Sequence, residues 1–125
     1  MSRNHLICIV DDDPSMLRML TRTVAASGFE VASFSSAEDL LDSGRISEST
    51  CLILDVDLPG ISGLELQEKL NMDGEPVPLI LISGQTTEAT RQRALRDGAI
   101  AFFNEPFNIS ALVAALRSVQ FLALV

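Results

Sequence analysis

Five short apolar runs, separated by stretches with helical periodicity, constrain the fold of this chain more than any other feature. Strands that are apolar throughout are buried on both faces, which is typical of a parallel sheet covered by helices. The alternation therefore predicts an α/β fold, a doubly wound five-stranded parallel sheet of the (βα)5 kind that takes up residues 1–125. The predicted strands are Leu6–Val10, Phe29–Phe34, Cys51–Leu54, Leu79–Ile82 and Ile100–Phe103.

Helix-start signals lie between the apolar runs, where this fold needs them. Asp13 precedes Pro14 and an apolar stripe, so Asp13 is a candidate N-cap and Pro14 a candidate first helical residue. Ser35 and Glu38 stand at capping-box spacing before the second helix, and Asn108 precedes the last one. These signals predict that a helix follows each strand.

Composition excludes several classes of function. The chain has 125 residues and a net charge of −8, which argues against direct contact with nucleic acid or an anionic membrane. No apolar run approaches the roughly 20 residues that a membrane span requires, so we expect a cytoplasmic protein. Cys8 and Cys51 lie in apolar runs and are interpreted as reduced core residues, since a disulfide or metal pair is less common in such a setting.

Acidic residues follow the first and third predicted strands. Asp11 and Asp12 end the first strand and Asp55 ends the third, while Ser83 and Glu105 follow the fourth and fifth. Ligands of open α/β sheets bind beyond the carboxyl ends of the strands, so these residues converge if strands one and three are neighbours. Three carboxylates suit a hard divalent cation such as Mg²⁺. Taken alone, each motif is more often a solvated helix cap or a polar turn than a metal site, and it is their joint placement that favours the site.

The motifs together resemble response-regulator receiver domains, the phosphoacceptor modules of two-component signalling in the CheY-like superfamily. The segments "IVDDDPSMLRML", "LILDVDLPGISGLEL", "LISG" and "DGAIAFFNEPF" follow the family's order and spacing across essentially the whole chain. The resemblance implies a flavodoxin-like fold with strand order 2-1-3-4-5. The phrases "FSSAEDLL" and "LPGISGLELQ" are similar to the FixJ-type subgroup, which implies a role in transcription regulation and a C-terminal helix-turn-helix output domain outside this chain.

The resemblance also assigns roles to the acidic residues. It makes Asp55 the phosphoryl acceptor, with a sensor histidine kinase or a phosphotransfer protein as the donor. Mg²⁺, or Mn²⁺ in its place, would be held by Asp12, Asp55 and the backbone carbonyl of Asp57, with Asp11 acting mainly through water.

One position departs from the family pattern. The resemblance makes Ser83 the switch hydroxyl and Phe102 the aromatic switch position, but Glu105 stands where the family has a lysine. Lys69, the only lysine of the chain, lies well along the third helix and cannot replace it. The departure implies impaired activation. Pro106 makes the bond after Glu105 a candidate cis peptide.

Three functions remain open from the sequence. The first is a phosphorylated regulatory receiver, which is not a classical enzyme and could act as a homodimer. The second is a pseudo-receiver that is never phosphorylated and serves as a protein-interaction module. The third is a phosphatase of the haloacid dehalogenase type, suggested by Asp55 and Asp57 in "DVD". That class carries this motif on its first strand and needs a downstream lysine and late acids, which are missing here.

Overall fold

The sheet and its helices alternate along the chain as predicted. The computed structural model describes residues 5–75, 77–85 and 87–123, and the predicted domain 1–125 extends beyond them. The strands are β1 Leu6–Val10, β2 Glu30–Phe34, β3 Ser49–Asp55, β4 Leu79–Ser83 and β5 Ala101–Asn104. The helices are α1 Pro14–Ala26, α2 Ala37–Ser43, α3 Gly63–Met72, α4 Glu88–Arg96 and α5 Ile109–Ala123, and a 3-10 turn at Ile46–Glu48 precedes β3.

All strand pairs are parallel, and the strand order is β2-β1-β3-β4-β5. This is the flavodoxin-like order 2-1-3-4-5, so the predicted fold class is confirmed. β3 is longer than predicted at both ends: it begins at Ser49 and includes Asp55, because Asp55 pairs with Ile82 of β4. The backbone N–H of Val56 extends that pairing by donating to the carbonyl of Ile82 at 2.8 Å.

The core consists of two apolar clusters, one on each face of the sheet. Successive side chains of a strand point to opposite faces, so β1 sends Leu6, Cys8 and Val10 into one cluster and Ile7 and Ile9 into the other. All five are nearly inaccessible to solvent. This two-sided burial explains why the strand sequence is apolar throughout rather than alternating.

Both cysteines are free and fully buried, as expected. Cys8 packs in one cluster and Cys51 in the other, so the sheet separates them. Burial raises the pKa of the Cys51 thiol to about 12, which keeps it protonated and unreactive. In the described part of the chain, no helix combines the length and apolar character needed to cross a membrane.

The helix caps are partly those that the sequence predicted. Asp13 Oδ1 accepts the N–H of Ser15 at 2.9 Å, and Asn108 Oδ1 accepts the N–H of Ser110 at 2.8 Å, as expected. The predicted capping box of Ser35 and Glu38 is wrong.

Ser36, one residue later, caps α2 by accepting the N–H of Asp39 at 3.1 Å. The true capping box joins Ser62 and Glu65 at the start of α3. The S-x-x-E spacing of Ser62 and Glu65 is the sequence pattern typical of a capping box.

Candidate functional site

The pairing of β1 with β3 brings the acidic residues together. Val10 pairs with Leu54, so the next residue of each strand, Asp11 and Asp55, emerges at the same edge of the sheet. Carboxylate oxygens of Asp11, Asp12 and Asp55 all lie within 4.8 Å of one another. The convergence expected from the sequence is therefore present in the structure.

Backbone N–H groups hold two of these carboxylates in place. Asp11 Oδ1 accepts the N–H of Asp13, and Asp55 Oδ1 accepts the N–H of Asp57, each at 2.9 Å. Asp11 is buried, with 3% of its surface exposed, whereas Asp55 is half-buried and Asp12 is exposed. Backbone hydrogen bonds therefore fix Asp11 and Asp55, and the cluster is open to solvent on the side of Asp12.

Burial raises the pKa of both anchored carboxyls. The pKa of Asp11 rises to about 7 and that of Asp55 to about 6, chiefly because burial removes water from the charged form. The hydrogen bonds from Asp13 and Asp57 oppose this effect, and the neighbouring carboxylates, Glu105 among them, add to it. The site is thus costly to charge fully unless a cation enters it.

Asp57 and Ser83 lie at the same edge. Ser83, the last residue of β4, is fully buried, and its Oγ donates to Asp57 Oδ2 at 3.3 Å. Ser83 Oγ also accepts the N–H of Gln85 at 3.2 Å. The Asp57 side chain thus bonds to Ser83, while the Asp57 backbone N–H bonds to Asp55.

Glu105 faces the same edge from β5. A methyl group placed on Gly84 would lie 2.7 Å from Glu105 Oε2, so the carboxylate rests against the backbone that follows β4. The bond from Glu105 to Pro106 is cis. Phe102, two residues before the end of β5, is half-buried and packs against the core cluster that contains Leu81.

In the part of the chain that the structure describes, basic side chains do not neutralise the carboxylates at this edge. Among the described residues, none of the carboxylates of Asp11, Asp12, Asp55 or Glu105 lies within 4 Å of a basic side chain. Lys69 is paired with Asp73 on α3 at 3.4 Å, away from the strand ends. The donor set is therefore three convergent oxygens with surplus negative charge, which fits a divalent cation.

Sequence reasoning missed the part that Glu38 plays at this edge. Its carboxylate crosses from α2 to the loop between β3 and α3, where Oε2 accepts the N–H of Ile61 at 3.2 Å and rests against Gly60. Gly60 has φ +73°, a left-handed conformation that favours glycine. Glu38 thus contacts the loop between β3 and α3, and no local sequence pattern indicates a contact across 23 residues.

The fold and this site define a class of protein that sequence comparison identifies directly. The response regulator receiver domain family matches residues 7–117, and the chain belongs to that family. Receiver domains are regulatory modules of two-component systems rather than classical enzymes. The predicted family membership is confirmed.

Particular relatives are regulators of the predicted kind. The response regulator protein TmoT of Ectopseudomonas mendocina is 43% identical over 122 residues, which are 97% of this chain and 55% of TmoT. The transcriptional regulatory protein FixJ of Azorhizobium caulinodans is 34% identical over 110 residues, 88% of this chain and 52% of FixJ. The chain thus spans about half the length of the curated relatives it matches.

A solved structure of another response regulator is also similar to this chain. That of the response regulator StyR is 35% identical, with a TM-score of 0.85, over 95% of this chain and 61% of that chain. The similarity to FixJ confirms the resemblance inferred from the sequence.

Proposed function

We propose that this domain accepts a phosphoryl group on Asp55 from a phosphohistidine donor, a sensor histidine kinase or a phosphotransfer protein. The observation that carries the proposal is the position of Asp55, half-buried at the end of the central strand β3, with its Oδ1 fixed by the N–H of Asp57. Oδ2 then attacks phosphorus and the phosphorus–nitrogen bond of the donor breaks. The donor ring, protonated at its other nitrogen, leaves as neutral imidazole, and Asp55 becomes an acyl phosphate.

A divalent ion, Mg²⁺ or Mn²⁺, fits the three convergent carboxylates that no basic side chain neutralises. We assign its direct ligands to Asp12, Asp55 and the backbone carbonyl of Asp57, with Asp11 acting mainly through water. When bound, such an ion stabilises the negative charge that spreads over the transferring phosphoryl oxygens. The raised pKa values of Asp11 and Asp55 support this assignment, because burial, with a smaller contribution from neighbouring carboxylates, makes their charged forms costly unless a cation is bound.

The switch is assigned to Ser83 and Phe102. The Ser83 hydroxyl donates to Asp57 in the present arrangement, and its rotation toward a phosphoryl oxygen on Asp55 would break that bond. Phe102 is paired with Leu81 in the neighbouring strand and only half-buried. A shift of the β4–α4 segment would therefore change its packing at low cost.

Glu105 weakens the response. A phosphoryl group on Asp55 would add negative charge to an edge where Glu105 already raises the pKa of both anchored carboxyls. A basic side chain at this position would attract the same group. We therefore expect slow phosphorylation and poor switching.

The longer relatives suggest the setting in which this domain works. The chain spans about half of them, so we assign it a C-terminal output domain of the helix-turn-helix kind that contacts DNA in its place. The net charge of −8 makes direct contact between this domain and nucleic acid unfavourable. We place the protein in the cytoplasm and include homodimerisation among its states.

Acetyl phosphate with saturating Mg²⁺, followed by intact-mass measurement, tests the proposal. One phosphoryl group should appear, labile to base and stable to acid, and Asp55→Asn should remove it. Asp57→Asn is the matched control, since it makes the same chemical change two residues away and should retain the label. A label that persists in Asp55→Asn would contradict the assignment.

The same experiment addresses a second candidate, an interaction module that is never phosphorylated. The Glu105 carboxylate favours it, because this acid rests against Gly84 at the same edge of the sheet and its negative charge acts on Asp55. No label on the parent protein at any Mg²⁺ concentration, combined with a normal label on Glu105→Lys, would establish this second function.

A further inference from the structure

One carboxylate of α2 reaches the loop between β3 and α3. Glu38, in the first turn of α2, accepts the backbone N–H of Ile61 through Oε2 at 3.2 Å, and the same carboxylate rests against Gly60. Within the described ranges, no basic side chain lies within 4 Å of the Glu38 carboxylate. The contact with the loop is therefore not shared with a salt bridge.

The two ends of this loop are fixed by β3 itself. Near the start of the loop, the N–H of Asp57 donates to Asp55 Oδ1 at 2.9 Å, and at its end the N–H of Gly63 donates to the carbonyl of Val56 at 3.2 Å. Gly63 packs so closely that a methyl group placed on it would lie 2.5 Å from the carbonyl oxygen of Asp55. Both ends of the loop are thus held at the carboxyl end of β3.

The middle of the loop is held by Glu38. Among the hydrogen bonds of the described residues, the bond to Glu38 is the one that links the segment 58–61 to another element of the fold. Gly60 has φ +73°, and a side chain at Gly60 would overlap the Glu38 carboxylate. Glycine at this position therefore provides both the turn and the space that Glu38 occupies.

We propose that Glu38 is a positioning residue, which holds Gly60 and Ile61 so that the loop keeps the backbone carbonyl of Asp57 in place for the metal. This inference rests on the proposed function, which assigns that carbonyl to Mg²⁺. A ligand group that is fixed before the ion arrives loses less conformational freedom on binding, so loss of the Glu38 contact should weaken Mg²⁺ binding. Glu38 acts through the loop and does not itself bind the ion.

Matched variants separate the hydrogen bond from the charge. Glu38→Gln removes the charge and keeps a side-chain oxygen for the Ile61 N–H, whereas Glu38→Ala removes both. Asp39→Ala removes a charge from the next residue, which is also exposed in the first turn of α2. In isothermal calorimetry, Glu38→Ala should bind Mg²⁺ at least about threefold more weakly than the parent. The other two variants should stay within about twofold of the parent, because a distant exposed charge acts weakly through water.

Hydrogen exchange of the Ile61 amide reports on the contact itself, without metal or phosphodonor. The amide should exchange at least about threefold faster in Glu38→Ala than in the parent, and at the parent's rate in Glu38→Gln. Urea denaturation of the same proteins supplies the remaining comparison. A merely structural role would lower the free energy of unfolding of Glu38→Ala and leave its Mg²⁺ affinity unchanged.

Two results would overturn the proposal. Equal Mg²⁺ affinity of the parent and Glu38→Ala would show that the buried side chain of Leu58 holds the loop without Glu38. Equal losses of affinity in Glu38→Ala, Glu38→Gln and Asp39→Ala would make the charge of α2, and not the hydrogen bond to Ile61, the cause.

Labelling by acetyl phosphate distinguishes this inference from the proposed function. At subsaturating Mg²⁺, Glu38→Ala should label on Asp55 more slowly than the parent, and saturating Mg²⁺ should restore the parent's rate. If none of the proteins is labelled while the differences in Mg²⁺ affinity and Ile61 exchange persist, the phosphoacceptor role is refuted and the positioning role of Glu38 stands. Equal labelling rates of the parent and Glu38→Ala at subsaturating Mg²⁺ would do the reverse.

Discussion

The two ends of the sheet treat polar groups in opposite ways. At the end where β1 and β3 begin, polar side chains of the described residues are paired: His5 Nδ1 lies 3.1 Å from Thr50 Oγ1, and Cys8 Sγ lies 3.0 Å from Ser49 Oγ. Charges are paired there too, since Arg45 lies 2.7 Å from a carboxylate oxygen of Glu48. The polar and charged side chains named here therefore all have partners.

At the carboxyl end of the same strands, described carboxylates lack basic partners. Asp11 and Asp55 receive one backbone N–H each but no basic partner among the described residues, and burial raises the pKa of both. Groups that are paired contribute to stability, whereas like charges gathered in a half-buried place reduce it. The comparison teaches that the amino end serves the fold and that the carboxyl end gives up stability to leave room for ligands.

The largest effect is expected from removing a carboxylate at the carboxyl end. Asp12→Ala should abolish Mg²⁺ binding, because Asp12 is exposed and supplies one of the three convergent oxygens. Glu48→Ala removes the same charge at the amino end and should bind Mg²⁺ like the parent. Isothermal calorimetry on the three proteins makes the comparison. Unchanged Mg²⁺ affinity in Asp12→Ala would mean that the metal binds elsewhere.

The next effect concerns stability in the absence of metal. The raised pKa of Asp11 means that the folded state keeps a proton which the unfolded state has already lost, so its contribution to stability falls as pH rises from about 4 to about 7. Asp11→Asn keeps the acceptor for the Asp13 N–H and avoids the buried charge. It should raise the free energy of unfolding at pH 8 by about 2–4 kcal/mol.

Urea denaturation of parent and variant at several pH values measures this difference, with EDTA present. The gain should shrink as the pH falls toward about 4 and vanish near about pH 3, where Asp11 is protonated in both states. A gain that does not vary with pH would show that packing, and not charge, is responsible. Saturating Mg²⁺ at pH 8 should also reduce the gain, since the cation offsets the charge of Asp11, which the variant lacks.

Reversing the charge of Glu105 should have a somewhat smaller effect, on rate. Two unit charges about 4 Å apart at an effective dielectric of about 20 interact by roughly 4 kcal/mol, and partial exposure reduces this. An effect of about 2 kcal/mol would accelerate acetyl-phosphate labelling of Glu105→Lys more than about tenfold. Glu75→Lys makes the same change at an exposed site away from the strand ends and should label like the parent. Equal labelling rates for the two variants would show that the charge of Glu105 does not slow phosphorylation of Asp55.

The smallest effect is expected at the amino end. Thr50→Val keeps the shape of the side chain and removes the hydroxyl that faces His5, so it should lower the free energy of unfolding by about 1 kcal/mol. Mg²⁺ affinity should not change. Urea denaturation and Mg²⁺ calorimetry on the same preparation of the variant measure the two quantities. A loss of Mg²⁺ affinity in this variant would mean that the two ends of the sheet are coupled, contrary to the comparison above.

Local patterns in the sequence determined the order of the elements and the residues that end the strands. The apolar runs predicted five buried strands, of which β1, β3 and β4 are largely buried while the edge strands β2 and β5 are partly exposed. Asp11, Asp55 and Ser83 lie at the carboxyl ends of the buried strands, where ligands bind in such folds. Local rules failed at the start of α2, where Ser36 rather than Ser35 is the cap, since adjacent serines satisfy the same pattern. Helix caps and strand limits depend on residues close in sequence, which is why most of them were predictable, whereas the exposure of β2 and β5 follows from their places at the edges of the sheet.

Tertiary structure decided which of these residues meet. The neighbour relation of β1 and β3 turns separate aspartates into one cluster, and it follows from strand order rather than from either strand. The same holds for Glu38, whose carboxylate reaches Ile61 across 23 residues, and for Glu105, which rests against Gly84. Such contacts depend on side-chain direction and on packing between distant segments. The sequence by itself therefore identifies the acidic residues, and only the fold shows which of them lie in contact.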